Sequence, residues 1–246
     1  MRELNPSAVN LSIDFAANRL VHDSNDFVPK RPFMFVLGSP ILHSLSPVMQ
    51  QAALDSCRIK CDYFTLDPGE LLSGFRDVID SLPVLGFNVT TPYKKEVSCF
   101  CDSLTDEAIK SGNVNCVKII DNNWIGHNTD IGGMKSVIRS LCDKDLLNDG
   151  FEVVVLGTGS VARSVMIAID DFDFKNIEVR YHSSSGASSF VEWHKSADLR
   201  QPYAISRLSD FLSESSKLFI NCLTIGNASN FIHPSKSVLI DLKYPV

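Results

Sequence analysis

Four short segments in the first half of the chain hold polar side chains where a buried strand would not tolerate them. They are His43-Ser44-Leu45-Ser46-Pro47, Asn88-Val89-Thr90-Thr91-Pro92-Tyr93-Lys94, Gly112-Asn113-Val114-Asn115 and Asn128-Thr129-Asp130. The first two follow apolar stretches, and in parallel α/β folds the C-terminal strand ends line the crevice that receives ligands. Neutral hydroxyls and amides outnumber charges, a balance that suits a small polyhydroxylated acid better than a phosphate ester. One lysine and one carboxylate, Lys94 and Asp130, could exchange a proton with such a ligand. Singly, each residue has a plainer use. Ser44 and Ser46 could serve as turn and cap residues, Asp130 as a helix cap, and Lys94 as a solvated lysine. Asn88 and Asn115 could simply satisfy loop backbone groups.

A fifth segment points to different chemistry. Residues 151–169 run from β-branched residues through Gly157-Thr158-Gly159 straight into helical periodicity. In a strand–turn–helix context Gly157 supplies the tight turn. Gly159 lets a pyrophosphate approach the backbone at a helix N-terminus, and Ala162 stands where a third glycine often stands. A βα turn without a ligand is the plainer reading.

The elements that must position these residues are legible in outline. Residues 33–37 read as a buried strand ending at Gly38-Ser39-Pro40. Ser46 is expected to cap a helix with Pro47 at its first position, running to about residue 56. Further strands are expected at 61–66 and 84–89, with helices at 68–80 and 92–100. A hairpin of 114–120 and 123–125 turns at Asp121-Asn122, and a helix over 131–141 leads to the glycine turn. Residues 177–181, 218–221 and 238–242 are strand-like. Strands alternating with helices imply βαβ units and a mostly parallel sheet, hence an α/β fold in two domains, 32–127 and 128–246. Residues 1–31 show no clear strand and read as an N-terminal extension that ends at Pro29-Lys30-Arg31-Pro32.

Bulk properties narrow the partners. The chain has 246 residues, 44% of them hydrophobic, and a formal net charge of −6, with no basic stripe interleaved with aromatics. A nucleic-acid partner is therefore not expected. No apolar run approaches the roughly 20 residues of a membrane span, and the first twenty residues lack the apolar core of a secretion signal. Seven cysteines without metal-site spacing read as reduced thiols of a cytoplasmic protein, and no metal site is expected. The oligomeric state is left open.

Taken in order, the segments resemble those of the shikimate dehydrogenase family. Residues 38–47 are similar to its opening Gly-Ser-Pro and His-Ser-x-Ser-Pro segment, and residues 88–94 to its Asn-Val-Thr-x-Pro-x-Lys. Residues 112–115 are similar to Gly-Ala-Val-Asn, and residues 126–130 to Gly-x-Asn-Thr-Asp. Residues 157–162 match the cofactor turn, and residues 241–244 match Asp-x-x-Tyr. The resemblance implies a substrate-binding catalytic domain at 32–127 and a Rossmann-like nicotinamide-cofactor domain at 128–246, with 131–141 as the connecting helix. It implies an oxidoreductase that interconverts 3-dehydroshikimate and shikimate with NADP, or alternatively NAD, in aromatic amino-acid (chorismate) biosynthesis. Lys94 and Asp130 would be the proton-transfer pair. Ser44, Ser46 and Tyr244 would bind the substrate carboxylate, and Thr90 and Asn115 its ring hydroxyls. Gly157, Thr158, Gly159, Ser160 and Val161 would cradle the cofactor pyrophosphate, with Asp106 approaching the cofactor.

Three departures are expected to matter for activity. Relatives that prefer NADP carry an Asn-Arg-Thr segment where this chain has residues 181–186, with neither an arginine nor a carboxylate. Asn221-Cys222-Leu223 replaces the family's Asn-Ala-Thr. The resemblance also implies further helices and a substrate-binding glutamine beyond the Asp-x-x-Tyr segment, which the sequence ending at Val246 does not contain. These departures keep a second reading in view, a weakened or inactive relative that binds a shikimate-like metabolite or a partner in a regulatory role.

Overall fold

Alternating large apolar side chains build the centre of the first sheet. In strand β4 (Phe33–Leu37), Phe33, Phe35 and Leu37 enter one cluster of buried residues. Val36 enters another, beneath helix α1 (Ser46–Ser56), together with Ile41, Leu54 and Tyr63. The computed structural model describes residues 9–17, 19–23, 25–69, 74–147, 151–208, 217–223 and 237–242. Backbone contacts divide the chain into two units, 1–108 with 113–127 and 109–112 with 128–246.

The first unit holds a nine-stranded sheet. Its parallel centre places β4 between β5 (Asp62–Asp67) and β6 (Val84–Val89). The chain steps from β4 through α1 to β5 on one side, then through α2 (Phe75–Asp80) to β6 on the other. Strand order therefore reverses beside β4, which opens a crevice at the C-terminal strand ends. Strands β8 (Cys116–Ile120) and β9 (Asn123–His127) form the expected hairpin, with β8 antiparallel to β6. Its turn holds Asp121 and Asn122 at φ of 49° and 60°, the left-handed pair that a tight hairpin demands. Short β7 (Ser103–Leu104) adds to β9, and α3 (Asp106–Ser111) follows.

Three expectations need correction in this unit, the first being the helix over 68–80, which is present as α2 alone, since residues 68, 69 and 74 are not helical. Residues 1–31 are not a strandless appendage, because β1 (Asn10–Asp14), β2 (Arg19–His22) and β3 (Asn25–Asp26) extend the first sheet from β5. Of these strands Leu11 and Leu20 are buried in the core and Ile13 packs against it partly exposed, so the polar residues around them mask the alternation. Residues 92–100 do not form one helix. Turns occupy 91–96, and a short 3-10 helix covers Val97–Phe100.

The second unit carries a five-stranded, wholly parallel sheet in the order β12-β11-β10-β13-β14. Its strands are β10 (Glu152–Leu156), β11 (Asn176–Tyr181), β12 (Ala204–Arg207), β13 (Lys217–Asn221) and β14 (Val238–Asp241). Helices α4 (Thr129–Asp143), α5 (Ser160–Ile169) and α6 (Ser184–Ala197) share one buried cluster with Val153, Val155, Ile177, Val179, Leu218 and Ile220. The strand order reverses between β10 and β13, the arrangement of a dinucleotide-binding half. The polar segments between the expected strands thus hold one further strand, β12, and the serine-rich helix α6. Among the described residues, no helix is long and apolar enough to cross a membrane, and no cluster of metal-ligating side chains occurs.

Candidate active site

In the first unit the expected residues converge on the reversal beside β4. Leu37 and Val89 are register partners at the ends of β4 and β6. The Thr90 amide donates to the Leu37 carbonyl at 2.9 Å, and the Ser39 amide donates to the Thr91 carbonyl at 3.2 Å. Gly38 permits this approach, since a Cβ there would lie 2.6 Å from Thr90 Cγ2 and 2.8 Å from Ile41 Cδ1. The Val89 amide donates to the Asn115 carbonyl at 2.8 Å, and the Val114 amide to the Lys94 carbonyl at 2.8 Å. Thr90, Lys94 and Asn115, distant in sequence, therefore share one sheet end with the loop that carries Ser44 and Ser46. Asn115 is buried, and Ser44, Ser46, Thr90 and Lys94 are half-buried.

The serines play a different local part from the one expected. Ser46 is the first helical residue of α1, Leu45 occupies the cap position, and no side chain caps it. The Ser46 amide instead donates to Ser44 Oγ at 3.2 Å, closing a small turn that leaves the Ser46 hydroxyl out of capping. Beneath the site, Tyr63 donates its hydroxyl to Asn88 Oδ1 at 2.7 Å. Burial pushes the Tyr63 phenol well above its usual range, so it stays a neutral donor. Asp106 opens α3 and is exposed.

The second unit places the glycine turn at its own reversal. Gly157 has φ of +109°, and its amide donates to the Arg180 carbonyl at 2.8 Å. A Cβ on Gly157 would lie 3.2 Å from the Cys222 carbonyl oxygen, whereas a Cβ on Gly159 would meet nothing within 4 Å. The turn is therefore closed on its protein side and open around Gly159, at the start of α5. Thr158, Ser160 and Val161 flank it and are half-buried, and Ala162 is fully buried in the core. Thr158 Oγ1 and Ser183 Oγ would both lie within 3 Å of a Cβ on Gly186, at 2.8 and 2.9 Å. These hydroxyls converge over the loop that follows β11. Ser183 also caps α6 by accepting from the Gly186 amide at 3.2 Å, which explains a serine where the family resemblance implied an arginine-bearing segment.

Asp130 lies in the first turn of α4 and is half-buried. It is not the cap. Asn128 occupies that position, and its Oδ1 accepts from the Asp130 amide at 3.0 Å. Burial first, and the Asp130 charge second, push the Cys222 thiol up, which puts Asp130 near the loop that also closes on Gly157. Asn221 is fully buried, donates to Asp241 Oδ1 at 2.9 Å and accepts from the Leu223 amide at 3.1 Å. Leu223, where the resemblance implied threonine, joins Val154, Leu156 and Phe219 in a small apolar cluster. Tyr244 lies outside the described residues. A separate cavity of 420 Å³ sits at the N-terminal edge of the second sheet, lined by residues such as Glu152, Asn176, Tyr203 and Lys217. It contains none of the expected site residues.

Comparison with known proteins agrees with this geometry. Residues 36–117 match the shikimate dehydrogenase substrate binding domain. Shikimate dehydrogenase (NADP(+)) of Desulfitobacterium hafniense (strain Y51) is 38% identical over 142 residues, covering 56% of this chain and 50% of that relative. The chain thus spans about half the length of that relative. The enzyme of the same description from Syntrophomonas wolfei is 29% identical over 228 residues, covering 87% of this chain and 77% of the relative. Among solved structures, shikimate 5-dehydrogenase of Thermus thermophilus in complex with NADP(H) and shikimate superposes with a TM-score of 0.65. It is 24% identical, over 85% of this chain and 78% of that one. The chain is thus similar to shikimate dehydrogenases, through the substrate binding domain at residues 36–117 and, at lower identity, over most of its length.

Proposed function

We propose that this protein is an NADP-dependent shikimate dehydrogenase, oxidising shikimate reversibly at one ring hydroxyl. One observation carries the reading. Thr90, Lys94 and Asn115 gather with the Ser44–Ser46 turn at one sheet end, while the second unit opens a glycine cradle at its own strand reversal. The relatives' printed activity and cofactor support it.

The residues present fit a dinucleotide. The space around Gly159 at the start of the ten-residue α5 admits a pyrophosphate to backbone N–H groups. Thr158 and Ser183 offer hydroxyls to a ribose or its phosphate. A bound nicotinamide would supply the hydride acceptor for the carbinol carbon. The remaining work is proton handling and orientation. Lys94 donates to the reacting oxygen and holds the negative charge that develops there, and Asp130 takes or returns the proton. Ser44 and Ser46 hold the carboxylate, and Thr90 and Asn115 orient the ring through its other hydroxyls. NADP is preferred over NAD because no carboxylate follows β11 to take a free ribose 2′-hydroxyl. Seven free thiols fit a reducing cytoplasm.

A second reading, a binding relative without turnover, draws on Ser183, whose hydroxyl caps α6 where a phosphate clamp would stand. The test is shikimate-dependent reduction of NADP and of NAD in parallel, with Lys94→Ala as control. Turnover that disappears in Lys94→Ala supports the dehydrogenase. Saturable shikimate binding without turnover on either cofactor supports the binding relative.

A further inference from the structure

The amide of Asn128 does more than cap α4. It is 1% exposed, and while Oδ1 accepts from the Asp130 amide, Nδ2 donates to Ser111 Oγ at 2.8 Å and to Ser164 Oγ at 3.0 Å. Ser111 ends α3, and Ser164 sits on α5 one turn past the glycine cradle, where its own hydroxyl donates to the Ser160 carbonyl at 3.4 Å. Both serines are buried, at 0% and 1% exposure. The end of α3 is also held from α6, since Trp193 Nε1 donates to the Lys110 carbonyl at 2.9 Å. Capping alone does not call for asparagine at this position, because serine and aspartate cap equally well. Only an amide combines one acceptor with two donors.

We propose that Asn128 is a positioning residue that fixes the Asp130 carboxylate relative to the cofactor helix by tying the first turn of α4 to α5 and to the end of α3. The proposal rests on the dehydrogenase reading, in which Asp130 handles the proton. Small displacements of a reacting group carry large rate penalties, so the tie should register in kcat rather than in substrate affinity.

Asn128→Ser keeps a good cap and removes both amide donors. In shikimate-dependent NADP reduction its kcat should fall by about ten- to a hundredfold, with KM for shikimate within about twofold. Ser164→Ala removes one partner from the far end and should lower kcat less. The double variant should lose less than the product of the two effects. Wild-type kcat in Asn128→Ser, with only a lower melting temperature, overturns the proposal. Amide hydrogen exchange supplies a readout without turnover. Asn128→Ser should speed exchange in the first turns of both α4 and α5, and unchanged exchange in α5 overturns the tie. A wild-type protein with no turnover defeats the dehydrogenase reading by itself, and the exchange measurement still decides whether the tie exists.

Discussion

Gly157 combines a φ of +109° with a carbonyl oxygen 3.2 Å from where its Cβ would stand, so both backbone and space exclude a side chain. Gly157→Ala should destabilise the protein by about 1–3 kcal/mol and weaken NADP binding, as read by denaturant unfolding and fluorescence titration. Gly133, in α4, has no atom within 4 Å of its absent Cβ. Gly133→Ala should therefore stabilise, by about 0.5–1 kcal/mol, in the same unfolding assay. At this scale the sequence displayed the reactive residue types but not how they are held. Ser46 was legible at the start of a helix as its cap, and not as the first helical residue whose amide leans on Ser44 Oγ. Asn128 was visible only as a letter before Asp130, because its serine partners lie 17 and 36 residues away. Leu223 read only as a departure from the threonine of the resemblance, whereas it packs on an apolar cluster that periodicity cannot reveal.

Helix α2 is anchored through Arg76, which lies over the Trp124 ring at 5.2 Å and binds Asp102 through two nitrogens at 3.1 and 2.8 Å. It also donates to the Phe100 and Asn122 carbonyls at 2.7 and 3.1 Å. The Arg76 guanidinium, and then the Trp124 amide, hold the Asp102 carboxyl below its ordinary value of 3.8. A depressed carboxylate contributes stability that is full above its unfolded pKa and lost as pH falls through the folded value. Unfolding free energy should therefore drop as pH falls below the ordinary carboxyl value of 3.8, and less steeply in Asp102→Asn. In α6, Ser183→Ala should cost about 1 kcal/mol by removing the cap, measured by thermal unfolding. Elements with dense apolar alternation, β4 and β6, were legible to the residue as 33–37 and 84–89. Those that contribute one buried side chain each, β1 and β2, were not. Helix α6 opens with serines of weak helical preference and is stabilised by Phe190 and Trp193 packing on the second sheet, a tertiary cause.

Each unit has its own sheet and its own principal core, one around Phe35, Phe87 and Trp124, the other around Val153, Ile167 and Phe190. The glycine turn proposed to cradle the dinucleotide lies wholly in the second. A ligand that binds only the folded state at about a hundred times its Kd adds about 2.7 kcal/mol. NADP should therefore protect amides of β10 and α5 from exchange in preference to those of β1 and β2. The reversed strand order that makes each crevice was not readable from the chain, since alternation implies parallel strands but not the side on which each successor is laid. The first sheet has one more property. Its nine strands end on one side in β3 and on the other in β7, each of two residues, and Arg19 pairs with both Asp14 and Asp26 beside the first. Long open edges recruit strands from other chains, and natural sheets suppress this with short, charged margins. Among the described residues this sheet thus ends in short, charged margins, which should suppress strand addition from other chains at its two sides.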